Sequence, residues 1–284
     1  MKVRKAIITA AGREQRKLPL QTLTDGDGRS QTVLRLFIDE LLSAGIEEIG
    51  VVVMPGDEAG YREAAGDAGD GLVFIEQTER LGYGHAVHCG KAFTEGEPFF
   101  LMVSDHLFVS DDAERSCAQQ LVEAAEREDC LVSAVQSTHE SKLSYFGAVG
   151  GKLFEGKAGV YEIERVMEKP TPTAAEQELM VPGLKLGHYL CFFGMHVLTP
   201  GVMDLLEEEI GRVRAAGEGR VQLSPAISQM AGKERCLAVE LQGRRYDLED
   251  RFGLLLGQLA VALDGGNRDE VLMGIIELLA QSKG

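Results

Sequence analysis

Basic residues, cysteines and long apolar runs are all scarce in this chain of 284 residues. Twenty-nine lysines and arginines stand against 45 aspartates and glutamates, a formal net charge of −16. A surface that acidic repels nucleic-acid backbones and anionic membranes unless a basic patch intervenes, and the sequence has no basic run. Neither nucleic acid nor membrane is therefore expected as a partner. The five cysteines (Cys89, Cys117, Cys130, Cys191 and Cys236) are odd in number, widely spaced and form no C-x-x-C pair. That excludes a disulfide scaffold and points to reduced thiols in the cytoplasm. No stretch approaches the roughly 20 apolar residues needed to span a bilayer. The apolar part of the N-terminus, about six residues before Gly12, is too short for a signal-peptide core and reads as a first strand. With 44% apolar and 26% charged residues, what remains is an ordinary globular chain able to bury a sizeable core.

Along the chain, short apolar runs alternate with helix-period segments. Strands are expected over residues 5–11, 48–54, 72–76, 98–104 and 131–136, with helices over 32–44, 58–68, 84–92 and 113–127 between them. This alternation predicts a mostly parallel sheet covered on both faces, with right-handed crossovers. After Gln136 the pieces become more β-rich: strands over 146–150, 160–167, 188–197 and 236–242, interrupted by helices over 200–215 and 223–231. Two more helices, over 251–262 and 269–281, close the chain. No repeat, low-complexity tract or linker divides it, so one continuous domain is expected.

Several local patterns fail on chemistry. Gly84 to Lys91 has five residues between its glycines where a phosphate loop has four, and Ala92 stands where a hydroxyl must meet magnesium. Asp25, Asp27 and Gly28 resemble the start of a calcium loop, but Arg29 takes a ligand position and Leu36 the twelfth place, so the segment reads as a turn. Ser104, Asp105 and His106 are sequential neighbours and cannot form a triad. His85 and His88 read as packed or surface histidines.

Three features point to phosphate chemistry. A strand ending in Ala10, Ala11 and Gly12 opens into a loop carrying Arg13, Arg16 and Lys17, a place where an α/β sheet presents N–H groups and bidentate arginines to phosphates. The buried run 99–103 delivers Asp105 at its carboxyl end, the crevice edge of an open sheet. Much later, Asp247 follows the strand over 236–242. Two such carboxylates would hold a hard divalent cation, and in so acidic a chain a metal ion must supply much of the charge that offsets a nucleotide's phosphates.

In this order the residues resemble the sugar-phosphate nucleotidyltransferase family, and within it the bacterial UTP–glucose-1-phosphate uridylyltransferases, over roughly residues 5–263. The opening A-A-G-x-G-T-R pattern meets Ala10, Ala11, Gly12 and Arg16. The segment Q-x(4)-G-L-G-H-A meets Gln77, Gly82, Gly84, His85 and Ala86, and E-K-P meets Glu168, Lys169 and Pro170. Phe146 and Gly147 resemble the sugar-side loop, Phe193 and Gly194 a later strand, Val221 to Leu223 a helix start, and Asp247 the second metal-binding aspartate. The resemblance implies a Rossmann-like fold: a doubly wound, mixed but mainly parallel sheet with a smaller β-rich sugar-binding part. It divides the single domain 1–284 into a nucleotide-binding half (1–136), a sugar-binding half (137–263) and a C-terminal helix (264–284). It further implies uridylyl transfer from UTP to a sugar 1-phosphate, most closely glucose 1-phosphate, with release of pyrophosphate. Arg16, Asp105, Lys169 and Asp247 would be catalytic, Ala10, Ala11, Gly12, Gln77 and Gly82 would bind the nucleotide, and Gly147, Glu168 and Gly194 the sugar. Mg2+ would lie on Asp105 and Asp247.

The departures are specific. Glu14 and Gln15 replace Gly-Thr, removing a glycine that lets backbone approach the triphosphate. The segment at Pro19 to Leu23 lacks the family's lysine. Arg220 replaces a glutamate, and Glu249 a glycine. Other readings thus stay open: a non-catalytic sugar-nucleotide-binding or regulatory protein, or a transferase using dTTP or another sugar phosphate. A homo-oligomer is also compatible with the sequence.

Overall fold

The computed structural model describes residues 1–281. Strand β1 (Lys5–Thr9) is buried throughout. A hairpin of β2 (Thr22–Thr24) and β3 (Ser30–Thr32) turns on Asp25, whose Oδ1 accepts from the N–H groups of Asp27 at 3.0 Å and Arg29 at 2.8 Å. The segment resembling a calcium loop is thus a side-chain-closed turn. Helix α1 (Val33–Ser43) starts where Thr32 Oγ1 accepts from Arg35 N–H. It buries Val33, Leu34, Phe37, Ile38 and Leu41, one helical stripe. There follow β4 (Glu48–Val53), α2 (Glu58–Ala65), β5 (Leu72–Glu76), α3 (Tyr83–Cys89), α4 (Lys91–Thr94) and β6 (Phe99–Val103). Next come β7 (His106–Ser110), α5 (Cys117–Glu128), β8 (Leu131–His139), β9 (Gly147–Leu153) and β10 (Val160–Glu168). The chain continues through α6 (Pro172–Glu178), β11 (His188–Leu198), α7 (Gly201–Ala216) and α8 (Leu223–Ala231). It closes with β12 (Cys236–Glu240), β13 (Gly243–Asp247), α9 (Gly253–Ala262) and α10 (Arg268–Gln281); residues 282–284 of the expected C-terminal helix lie outside the described residues.

Nine strands form one mixed sheet in the order β5-β4-β1-β6-β11-β8-β12-β10-β9, and it is not mainly parallel as the sequence predicts, since β11, β10 and β9 join it through antiparallel pairings. β5, β4, β1 and β6 are parallel neighbours, as are β8 and β12. β11 runs antiparallel between β6 and β8, so a strand from late in the chain separates two strands that the β/α rhythm makes sequential. Two apolar clusters alternate along the strands with a period of two: Ala6, Ile8 and Ala10 of the β1 segment join the helices α1, α2 and α5, while Ile7 joins α3, α7 and α8. Phe99 and Phe100, fully buried on successive positions, anchor one cluster each.

Three boundaries differ from the sequence expectation for local reasons. The expected helix over 58–68 stops at Ala65 because Gly66 adopts φ +62°. The expected helix over 84–92 breaks at Gly90, where a Cβ would lie 2.3 Å from Ile7 Cδ1. The helix expected from Ala113 begins after Ser116, whose Oγ accepts from Gln119 N–H while Gln119 Oε1 accepts from Ser116 N–H.

Candidate functional site

A cleft of about 570 Å³ opens at the carboxyl ends of β1 and β6, where an open sheet of this kind places its ligands. One wall is the loop after β1, with Ala11, Gly12, Arg13 and Gln15; another is the segment from Gln77 to Ala86. Asp105 and His106 follow β6, and the far side is built from Tyr145, Phe146, Gly147, Glu168, Lys169, Phe192, Gly194, Arg220, Leu223 and Ser224.

On the β5 side, Gln77 is 6% exposed and points into the cleft. Its Nε2 donates to Gly82 O at 3.2 Å and lies 3.0 Å from His85 Nδ1. Burial holds His85 below the usual histidine range, so its neutral ring accepts through Nδ1, both amide protons of Gln77 are used, and Oε1 remains as an acceptor. Gly82 adopts φ +116°, and a Cβ there would lie 2.5 Å from Val221 O. The close approach permits a backbone clamp across the cleft: Val221 N–H donates to Leu81 O at 2.7 Å and Gly84 N–H to Val221 O at 2.9 Å.

Opposing charges meet at the floor. Burial works to raise the Asp105 carboxyl, but the charge and hydrogen bond of His106 (Nδ1 at 2.6 Å), a backbone N–H and the charge of Lys169 outweigh it and hold Asp105 low. Lys169 has φ +46°, the left-handed region that a lysine seldom occupies, and its N–H donates to Phe146 O at 3.1 Å. Its neighbour Glu168 accepts from Ser224 Oγ at 2.6 Å. Gly147 lies against these groups, since a Cβ there would meet Phe192 at 2.7 Å and Ser224 Oγ at 2.8 Å. At Gly194, φ +104° falls within a register shift of β11, and a Cβ would lie 2.7 Å from Val103.

β13 pairs antiparallel with β7 so that Asp247 stands opposite His106, and Leu248 N–H donates to Asp105 O at 2.8 Å. The two aspartates predicted from sequence as metal ligands are thus brought to adjacent strand ends, although Asp247 is not among the residues lining the cleft. Asp247 Oδ1 accepts from Glu249 N–H at 2.9 Å. Among the described residues no group of three or more acidic, histidine or cysteine side chains gathers as a metal cage. One or two carboxylates with ligand oxygens suit magnesium, which keeps much of its shell as water or phosphate, so this donor set fits the ion. Arg245, two residues before Asp247, is half-buried, and desolvation lowers its guanidinium to about 10, still charged near neutral pH. It lies 3.8 Å over the Phe146 ring and donates to Phe192 O, bracing both aromatic walls.

Most of the residues predicted from sequence line this cleft: Ala11, Gly12, Gln77, Gly82, Asp105, Gly147, Glu168, Lys169 and Gly194. Ala10 is buried behind them. Arg16 is not a lining residue; its Nη1 lies 2.8 and 2.9 Å from the two oxygens of Asp57. Gln15 folds over the loop, its Oε1 2.0 Å from where a Cβ on Gly12 would stand. Arg220, which stands in place of the family's glutamate, lines the cleft, as do Tyr83 and Arg80, which the sequence did not single out. Tyr83 is signalled only by its place between two glycines of the Gln77 segment; the burial of its hydroxyl pushes the phenol up, near Asp105 and Glu168. A lone arginine in a loop carries no such signal.

Residues 6–235 match the family model described as nucleotidyl transferase. The chain is 31% identical to a UTP–glucose-1-phosphate uridylyltransferase of Streptococcus pneumoniae, covering 92% of this chain and 91% of the relative. A uridylyltransferase of the same name from Streptococcus pyogenes is 30% identical over 99% of this chain and 96% of its own. Among solved structures, a UDP-glucose pyrophosphorylase complexed with UDP-glucose superposes with a TM-score of 0.71 at 22% identity, covering 91% of this chain and 98% of its own. A UTP-bound enzyme from Acinetobacter baumannii gives 0.72 at 19% identity, covering 99% and 100%.

Proposed function

The chain belongs to the nucleotidyl transferase family, and from that premise we propose that it transfers a uridylyl group from UTP to glucose 1-phosphate, giving UDP-glucose and pyrophosphate. The observation that carries this reading is the convergence in one cleft of Gln77 and Gly82 with Asp105, Glu168 and Lys169. The near-full-length relatives named for this activity support it. Gln77 Oε1 accepts from the imide N–H of uracil, and the Gly82 N–H donates to the adjacent carbonyl oxygen. Glu168, fixed by Ser224, takes sugar hydroxyls, while Gly147 and Gly194 leave room for the ring. An oxygen of the sugar phosphate attacks the α-phosphorus; a new P–O bond forms there as the bond to the β-phosphate oxygen breaks, and pyrophosphate leaves. A phosphate monoester is already anionic, so no general base is required. Lys169, held by its strained backbone, offsets charge at the phosphorus. Magnesium, when bound on Asp105 and Asp247, supplies charge neutralisation to the phosphates.

In the same reading residues 1–136 form the nucleotide half and 137–263 the sugar half of a doubly wound fold, and five unpaired cysteines favour a cytoplasmic setting. The test is magnesium-dependent pyrophosphate release across a matrix of nucleoside triphosphates and sugar phosphates, with UTP and glucose 1-phosphate expected to be the best pair. A second reading, binding without turnover, is favoured by Gln15 folded over Gly12 and Arg16 engaged by Asp57. The same matrix decides it: tight UTP binding with no release in any pairing would replace the first reading by the second.

A further inference from the structure

His106 lines the cleft, but only 12% of its side chain is exposed. Its ring lies between two others, stacked on Phe108 with centroids 6.5 Å apart and tilted against Phe146 at 5.9 Å. Both neighbours are themselves held: Phe108 stacks on Phe193 at 5.4 Å, and the Arg245 guanidinium covers Phe146. In this apolar slot His106 Nε2 is buried with no hydrogen-bond partner among the described residues. A buried polar atom left unpaired costs stability, and a hydrocarbon ring would sit among these phenylalanines without that cost. What the imidazole adds here is its other nitrogen, since Nδ1 lies 2.6 Å from Asp105 Oδ1.

The partner fixes the direction of that bond. Asp105 is held low and is ionised near neutral pH, and a carboxylate only accepts, so Nδ1 carries the proton whatever the state of Nε2. The backbone is fixed as well: His106 stands opposite Asp247 where β7 pairs with β13, and Leu248 N–H donates to Asp105 O at 2.8 Å. One residue thus sets both candidate ligands, Asp105 through its side chain and the strand carrying Asp247 through its main chain. Resting on the reading in which these aspartates hold magnesium, we infer that His106 is a positioning residue of the metal site, its Nδ1–H locking the Asp105 carboxylate in the orientation that receives the ion. Without that donor the carboxylate turns about its two side-chain torsions. An ion that demands near-ideal octahedral geometry binds less tightly to a ligand it must first order.

The test compares His106→Phe, which keeps an aromatic ring without a donor, His106→Gln, whose amide reaches the Nε2 position, and His106→Asn, whose amide nitrogen stands near the Nδ1 position. UTP is titrated calorimetrically in EDTA and in Mg2+, and the Mg2+ concentration for half-maximal turnover is measured. The phenylalanine and glutamine variants should need about 10-fold more Mg2+ and lose a similar factor of UTP affinity in Mg2+, while their UTP affinity in EDTA stays within about twofold. The asparagine variant should stay within about threefold of the unaltered protein in both measurements. Lower kcat or thermal stability with an unmoved Mg2+ dependence is what a merely structural histidine gives, and it would overturn the assignment. So would an asparagine variant as impaired toward Mg2+ as the other two. The calorimetric comparison decides the matter even without turnover. An unaltered protein whose UTP affinity and turnover are the same in EDTA as in Mg2+ instead defeats the metal reading on which the assignment rests.

Discussion

Replacing Gly82 by alanine tests the clamp that joins the two walls of the cleft. Gly82 sits at φ +116° and ψ −176°, a conformation essentially confined to glycine, and the new Cβ would stand 2.5 Å from Val221 O and 3.1 Å from Val221 N. Neither contact can be relieved by turning a side chain, because both atoms are backbone. The backbone strain costs about 1–3 kcal/mol, and each clamp bond lost about 0.5–1.5 kcal/mol more. Together that is about 2–4 kcal/mol, if one bond breaks and the segment moves away. Since the same segment carries Gln77's acceptor Gly82 O, the loss should appear in nucleotide affinity as about 30- to 1,000-fold. Calorimetric titration of UMP is the assay, with urea unfolding run in parallel. Gly84→Ala is the milder comparison: its Cβ meets the side-chain atoms Val221 Cγ1 at 2.8 Å and Leu206 Cδ2 at 2.9 Å, its nearest backbone atom, Gln222 C, lies at 3.0 Å against 2.5 Å at Gly82, and it lacks the positive φ. UMP affinity unchanged in Gly82→Ala, or reduced no more than in Gly84→Ala, would refute the reasoning.

Gln77→Ala should weaken UTP binding by about 1–3 kcal/mol by leaving the imide edge unpaired, a change that titration of UTP resolves. Asp105→Asn and Asp247→Asn should each abolish magnesium-dependent turnover while thermal unfolding stays near that of the unaltered protein, since neither removes core volume; full turnover in either variant removes that residue from the metal site. His196, buried under the cleft with Nδ1 2.9 Å from Ser133 Oγ, is pushed down to about 3 by burial. Because the unfolded histidine takes a proton below about 6.5 and the folded one does not, stability should fall by about 1.4 kcal/mol for each pH unit of acidification between pH 6 and 4 from this group alone. In His196→Gln that part of the slope should vanish, as read from urea unfolding at several pH values.

The β/α alternation of the first half was legible because buried parallel strands are near-continuous apolar runs, as 99–103 is. Glycine pairs at close approaches, such as Gly82 and Gly84, carried the nucleotide side. What was missed has physical causes. β7 was unread because His106 to Ser110 follows directly on a better strand, and its partner, β13, lies more than a hundred residues away. α6 did carry a signal, Thr171 capping with Pro172 at the first helical position, in a stretch too short to show periodicity. The engagement of Arg16 by Asp57 could not be read, since a side chain's partner across the fold leaves no local pattern.

The antiparallel entry of β11 between β6 and β8 also orders events during synthesis. When β6 emerges from the ribosome, one of its edges has no neighbour until residues 188–198 are made, and an open apolar edge invites mispairing. Asp247 reaches its place opposite His106 later still, 142 residues after Asp105. At common translation rates that interval is about 7–28 s. The charged floor of the cleft is therefore completed only when the chain is nearly finished, and a nascent chain holds the nucleotide wall for many seconds before it holds a site that could act on one.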